Sequence, residues 1–230
     1  MLRTNFSRRA RTATALLGSG VLLFTLTAVG AEAMAADPAP PPVTMNTAPV
    51  ASIPKLTGKQ TQVMLDAGFA KALTSLKLTP GVVSPATLKN GIATFPITGG
   101  SATYYQPGTR DPYVVSSIRH DRSGITLTHG GTTVKLTDFV VDAASSLLTG
   151  NVSANGKSAA LGAPLFILDG STLKPLQVDK SAGTAVLEGT TVKLTKEAAQ
   201  LLNKTFKTNA LKEGLVVGTA KITLTLPPQS

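Results

Sequence analysis

Both histidines of the chain and all three of its tyrosines fall within residues 104–129. Tyr104, Tyr105 and Tyr113 stand in a polar stretch rich in proline and glycine, and His120 and His129 follow it. Imidazole and phenolate are ligands for iron, and a β-fold with apolar side chains at its mouth can pack a flat macrocycle against them. The five residues therefore form a candidate haem or planar-ligand set. The same histidines with Asp142 offer a second chemistry, a metal-assisted extracellular hydrolase. His120 and Asp121 are adjacent, so on a strand they point to opposite faces and cannot act as base and orienter. No Gly-x-Ser-x-Gly elbow follows residue 35, and with no cysteine in the chain, thiolate metal sites and cysteine nucleophiles are excluded. The reading that results is a binding or structural module, not an enzyme.

The elements that must position these residues are strands. Ile125, Leu127 and His129 alternate with threonines, Gly130-Gly131 turns the chain, and Val134 and Leu136 alternate beyond it. A two-glycine loop suits a tight hairpin because glycine accepts positive φ without steric cost. Closing the loop there pairs Leu127 with Val134 and Ile125 with Leu136 on one face, with His129 opposite Thr132 at the mouth. Short apolar runs with turn signals continue around the hairpin: Ile92–Phe95, Leu147–Val152, Asn155-Gly156, Pro164–Leu168, Thr184–Leu187 and Val216–Leu226. Two segments depart from this pattern. Val63 and Leu65 lead through Asp66 into Phe69, Ala72, Leu73 and Leu76 at helical spacing, and Val192 and Leu194 lead through Thr195 into Ala198, Ala199 and Leu202. Pro80-Gly81 and Pro85 end the first of these units. The expected fold is mainly β, an antiparallel β-sandwich or barrel-like sheet with two short helices.

The flanks read as an address and a spacer. Arg3, Arg8, Arg9 and Arg11 precede an uncharged apolar run from Ala13 to Gly30, and Ala33-Met34-Ala35 offers a small-residue cleavage site. Residues 1–35 are expected to be a signal peptide, with Ser7-Arg8-Arg9 hinting at the twin-arginine route. Residues 36–60 are expected to be a proline-rich linker and 61–228 a single domain. Cleavage would leave no transmembrane anchor and a secreted, extracellular chain, cell-wall associated if its charge finds a wall. Beyond residue 35 the net charge is +7, which favours an anionic wall polymer or envelope protein as partner. Tryptophan is absent and no basic run occurs, so nucleic acid is not an expected partner.

Several segments together resemble the HtaA-like domains of actinobacteria. They are Phe95-Pro96-Ile97-Thr98-Gly99-Gly100, Ile118-x-His120 with Gly124-Ile125-Thr126-Leu127, Val134-x-Leu136-x-Asp138-Phe139-Val140-Val141-Asp142, and Leu148-Thr149-Gly150-x-Val152. The resemblance spans roughly residues 62–226. It implies a secreted or wall-associated β domain with short helices, and haem as the cofactor, contacted by His120. The family's haem binders carry a tyrosine near the domain start, whereas Phe69 to Leu78 here has none.

Overall fold

Among the described residues, alternating apolar and polar residues build thirteen strands, and two capped segments build two helices. The structure, a computed structural model, describes residues 48–227. The signal-peptide reading and the first part of the linker reading, residues 36–47, lie outside those residues. In chain order the first elements are β1 (Ala51–Ile53), β2 (Lys59–Leu65), α1 (Ala67–Ser75), β3 (Thr79–Val83), β4 (Thr87–Lys89), β5 (Ile92–Pro96) and β6 (Gly99–Tyr104). The central hairpin is β7 (Val114–His129) and β8 (Thr132–Asp142), followed by β9 (Leu147–Ala154) and β10 (Lys157–Asp169). The last elements are β11 (Gln177–Asp179), β12 (Thr184–Leu194), α2 (Lys196–Phe206) and β13 (Val216–Thr225).

All strands join one antiparallel sheet, in the order β1-β6-β7-β8-β9-β10-β12-β13-β2-β5-β4, with β11 beside β12 and β3 beside β7. The sheet curls into a half-barrel, so of the two expected forms the barrel-like one is present. β5 and β7, each close to an end of the path, meet where Thr98, just past β5, donates its N–H to Arg119 O of β7 at 2.9 Å. Because neighbouring strands run antiparallel, the connections alternate between two ends. One end carries α1, the Gly130-Gly131 turn, the Asn155-Gly156 turn and α2. The other carries the loops 105–113, 143–146 and 170–176.

The hairpin register is the expected one: Leu127 pairs with Val134, Ile125 with Leu136, and His129 with Thr132. Gly130 and Gly131 have φ of 54° and 78°, the left-handed pair that a type I′ turn requires. Between His120 and Gly124 a bulge advances β7 by four residues against two on β8, and the inward-facing parity changes on both strands: Ile118 and His120 face inward before it and Ile125 and Leu127 after it. Arg122 and Asp138 take positive φ there (63° and 55°). Asp138 accepts the Arg122 N–H at 2.8 Å, the Thr137 hydroxyl and the Asn151 amide. At Gly124 the strands approach so closely that a Cβ would sit 1.9 Å from Leu136 O.

Both helices start as their sequences predict. Asp66 accepts from the N–H groups of Gly68 and Phe69, and Thr195 from that of Ala198. Their buried residues, Leu73 on α1 and Ala198, Ala199 and Leu202 on α2, share one core with Leu127, Val134, Leu136 and Leu165. That core closes the helical end of the half-barrel.

Two expectations need correction. Residues 36–60 are not linker throughout: Ala51–Ile53 pairs with Ala102–Tyr104 on β6, and Leu56 is buried. Proline density hid this strand, which lies on an edge where a missing N–H costs no ladder bond. Pro80-Gly81 likewise does not end the unit but lies inside β3, a side strand along β7.

Candidate functional site

Inward-facing residues of nine strands enclose a cavity of about 340 Å³ between the closed core and the loop end. The size falls within the range of small-ligand sites. Its wall is apolar, with Phe95, Phe139, Phe166, Ile118, Val141, Ile222 and Leu224 contributing most of the bulk. Among the lining residues Asp111, Ser146, Gly170 and Ser171 are exposed, and these mark its mouth on the three loops.

His120 is the one imidazole in the wall. It is only 1 % exposed, and both ring nitrogens are engaged. Nδ1 lies 2.9 Å from Pro96 O on β5, and Nε2 lies 3.2 Å from Thr61 Oγ1 on β2. A carbonyl only accepts, so Nδ1 carries the proton and Nε2 is left bare, accepting from the Thr61 hydroxyl. Burial pushes the imidazole below its ordinary range, partly offset by the Pro96 carbonyl and the nearby Asp121 charge. The ring is therefore neutral, with its lone pair on the atom nearest Thr61. Phe95 meets it edge-on with centroids 6.2 Å apart, and Phe95 meets Phe139 the same way at 5.4 Å. These contacts also tie β7 to β5 and β2 at the seam of the curl.

The remaining candidates are dispersed. His129 lies at the helical end, where Nδ1–H donates to Lys77 O just after α1 at 3.1 Å. Seven residues of β8 separate the partners of His120 and His129, or about 23 Å at ~3.3 Å per residue. Tyr104, Tyr105 and Tyr113 are at the opposite end. Tyr113 lines the cavity and packs edge-on against Tyr104 at 5.8 Å, whereas Tyr104 and Tyr105 are outside the lining. Burial, then the neighbouring Tyr104, raises the Tyr113 phenol above its ordinary value, which keeps it protonated. Tyr105 lies under the Arg110 guanidinium, 4.7 Å from its ring centre.

The residues of the hydrolase alternative do not converge either. Asp142 caps the following turn by accepting from Ala144 and Ser145 N–H. Among the described residues no three His, Cys, Asp or Glu side chains cluster as a metal site. Asp121 points outward and accepts from the Thr98 hydroxyl at 2.8 Å, as alternation requires.

The sequence reading missed Thr61, Asp111 and the phenylalanines as site residues. The phenylalanines carry the alternating signal of inward strand positions, but Thr61 reaches His120 only through pairings between distant segments.

No family model matches the chain, and no curated protein does. Solved structures do resemble it. The C-terminal domain of HtaA from Corynebacterium glutamicum superposes with a TM-score of 0.53 at 17% identity, covering 75% of this chain and 99% of that domain. The haem-binding protein HtaB from the same organism gives 0.46 at 10% identity, covering 76% and 96%. The likeness to the HtaA domain establishes the fold.

Proposed function

With the HtaA-like fold as premise, we propose that this chain is a non-enzymatic binding module whose cavity takes a flat apolar ligand of the haem class. The observation that carries the proposal is the donor set. One neutral imidazole, oriented by a backbone carbonyl and unprotonated at Nε2, stands in a mostly apolar wall. Second-shell bonding of this kind fixes the tautomer of a metal-ligating histidine. His120 would hold the iron once the Thr61 hydroxyl turns away, and Phe95, Phe139 and Phe166 would pack the macrocycle. A bound haem would supply a redox-active iron with a strong visible absorption band. The basic and apolar N-terminal pattern with its Ala-x-Ala site supports export, and the net positive charge beyond it supports residence near an anionic envelope.

A haemin titration followed in the Soret region tests the proposal. The chain is expected to give a saturable, shifted band that His120→Ala removes. Thr61→Ala is expected to tighten binding, because it frees Nε2 from its present donor. A titration indistinguishable from that of a haem-blind protein overturns the proposal.

One observation favours a second reading. Both nitrogens of His120 are already partnered, so an apolar ligand without a metal needs no rearrangement. Metal-free protoporphyrin binding as tightly as haemin, with His120→Ala still competent, would select it.

A further inference from the structure

A binding chamber must receive the polar end of its ligand as well as the apolar body, and here that end is set by the mouth. Asp111 is the one charged side chain in the lining, since His120 is neutral, and among the described residues no lysine or arginine contributes to it. The other exposed side chains of the mouth, Ser146 and Ser171, bring only hydroxyls. Three lysines on β12, β13 and the 170–176 loop are paired with carboxylates. Lys174 and Lys221 pair with Glu188 at 2.7 and 3.5 Å, and Lys193 with Asp169 at 2.6 Å. Arg110 precedes Asp111 in sequence, yet its guanidinium lies on the Tyr105 ring.

The loop holding Asp111 is braced. Tyr105 N–H donates to Tyr113 O at 2.7 Å, and the Thr109 hydroxyl donates to Gln106 O at 2.6 Å.

We infer that Asp111 makes the mouth selective against ligands with an anionic polar end, favouring a neutral or cationic one; this rests on the cavity being the ligand chamber. A carboxylate entering beside Asp111 meets a like charge with no lysine or arginine in the lining to offset it, and an ester or amide at the same place does not.

The test is a pair of titrations of the full chain, with haemin and with haemin dimethyl ester, which lacks the two propionate charges and carries two methyl groups in their place; Asp111→Asn separates the charge effect from that of the methyl groups. The ester is expected to bind roughly three- to tenfold tighter, the size of one like-charge repulsion across several ångströms of high dielectric. Asp111→Asn is expected to close the gap by tightening haemin alone, Asp111→Glu to preserve it, and added salt to narrow it. Haemin binding as tightly as the ester, or a ratio unmoved by Asp111→Asn, overturns the selectivity while leaving the chamber intact. Failure of both ligands to bind removes the chamber itself, and the selectivity with it.

Discussion

The two ends of the half-barrel are built from the same strands and finished differently. At the helical end two capped helices drive Leu73, Ala198, Ala199 and Leu202 onto Leu127, Val134, Leu136 and Leu165, and the space is filled. At the other end the finishing pieces are loops: a tyrosine-bearing loop, a four-residue turn and a glycine-serine segment. Leu56 and Ile97, from the connections before β2 and after β5, pack a smaller core there with Ile53, Ile118, Val141 and Leu224, but the three loops do not fill the space beside it, and the cavity remains. Filling an interior takes a rigid element carrying apolar side chains inward. Loops, whose backbone polar groups must stay near water, supply less filling: here two buried side chains, Leu56 and Ile97, against the four of the helices.

The contrast can be broken most directly by truncating one leucine at each end. Leu165, 2 % exposed in the closed core, should cost about 2–5 kcal/mol as Leu165→Ala. Leu187 borders the cavity, so Leu187→Ala removes contacts that are already one-sided and should cost under about 1.5 kcal/mol. Urea midpoints compare the two; equal losses would mean that the ends are packed alike. Next in size is a substitution that fills the chamber. Ala220 is buried in its wall, and Ala220→Leu should raise stability by about 0.5–2 kcal/mol. A loss instead would show that the space is not there to be filled.

The pH dependence sharpens the comparison at the seam. The folded value of His120 lies below its unfolded one, so between the two the unfolded chain binds more protons. Its contribution is therefore complete above about pH 6.5 and is lost as pH falls from there through the folded value. Stability measured from pH 8 to 5 should decline, and His120→Gln should flatten that decline. The hydrogen-bonded carboxylates of Asp138, Asp169 and Glu188, all held low, act at more acid pH and do not obscure it. The smallest effect belongs to the loop end: Arg110→Ala loses one exposed cation–π contact, about 0.5–1 kcal/mol. A larger loss would mean that the loop contributes to the core after all.

Local pattern made the hairpin and both caps legible, because turn glycines and capping residues act within a few positions. The hexamer Thr-Thr-Val-Lys-Leu-Thr shows where that reach stops. At 132–137 all six residues are strand and at 190–195 the first five are, with Val134, Leu136, Val192 and Leu194 buried alike. The second copy then becomes helix because the Thr195 hydroxyl takes the Ala198 N–H, whereas Thr137 donates to Asp138 in a bulge. The bulge itself was hidden, since a shift of parity within β7 breaks the alternation used to find strands. Alternation set His120 and Asp121 on opposite faces, but did not supply the partners of His120. Thr61 and Pro96 reach it through pairings 59 and 24 residues apart, which no local signal encodes. The five candidate ligands were close in sequence only; a strand nearly the length of the half-barrel carries the two histidines far apart.

The central claim is that the open end is a ligand chamber. It is tested most directly by titrating haemin into the wild-type chain and into Ala220→Leu, with folding of both checked by circular dichroism. The account predicts saturable binding to the wild type, and loss of that binding in a variant that is folded and at least as stable. Undiminished binding to Ala220→Leu would contradict it, because the ligand would then be held somewhere other than the cavity.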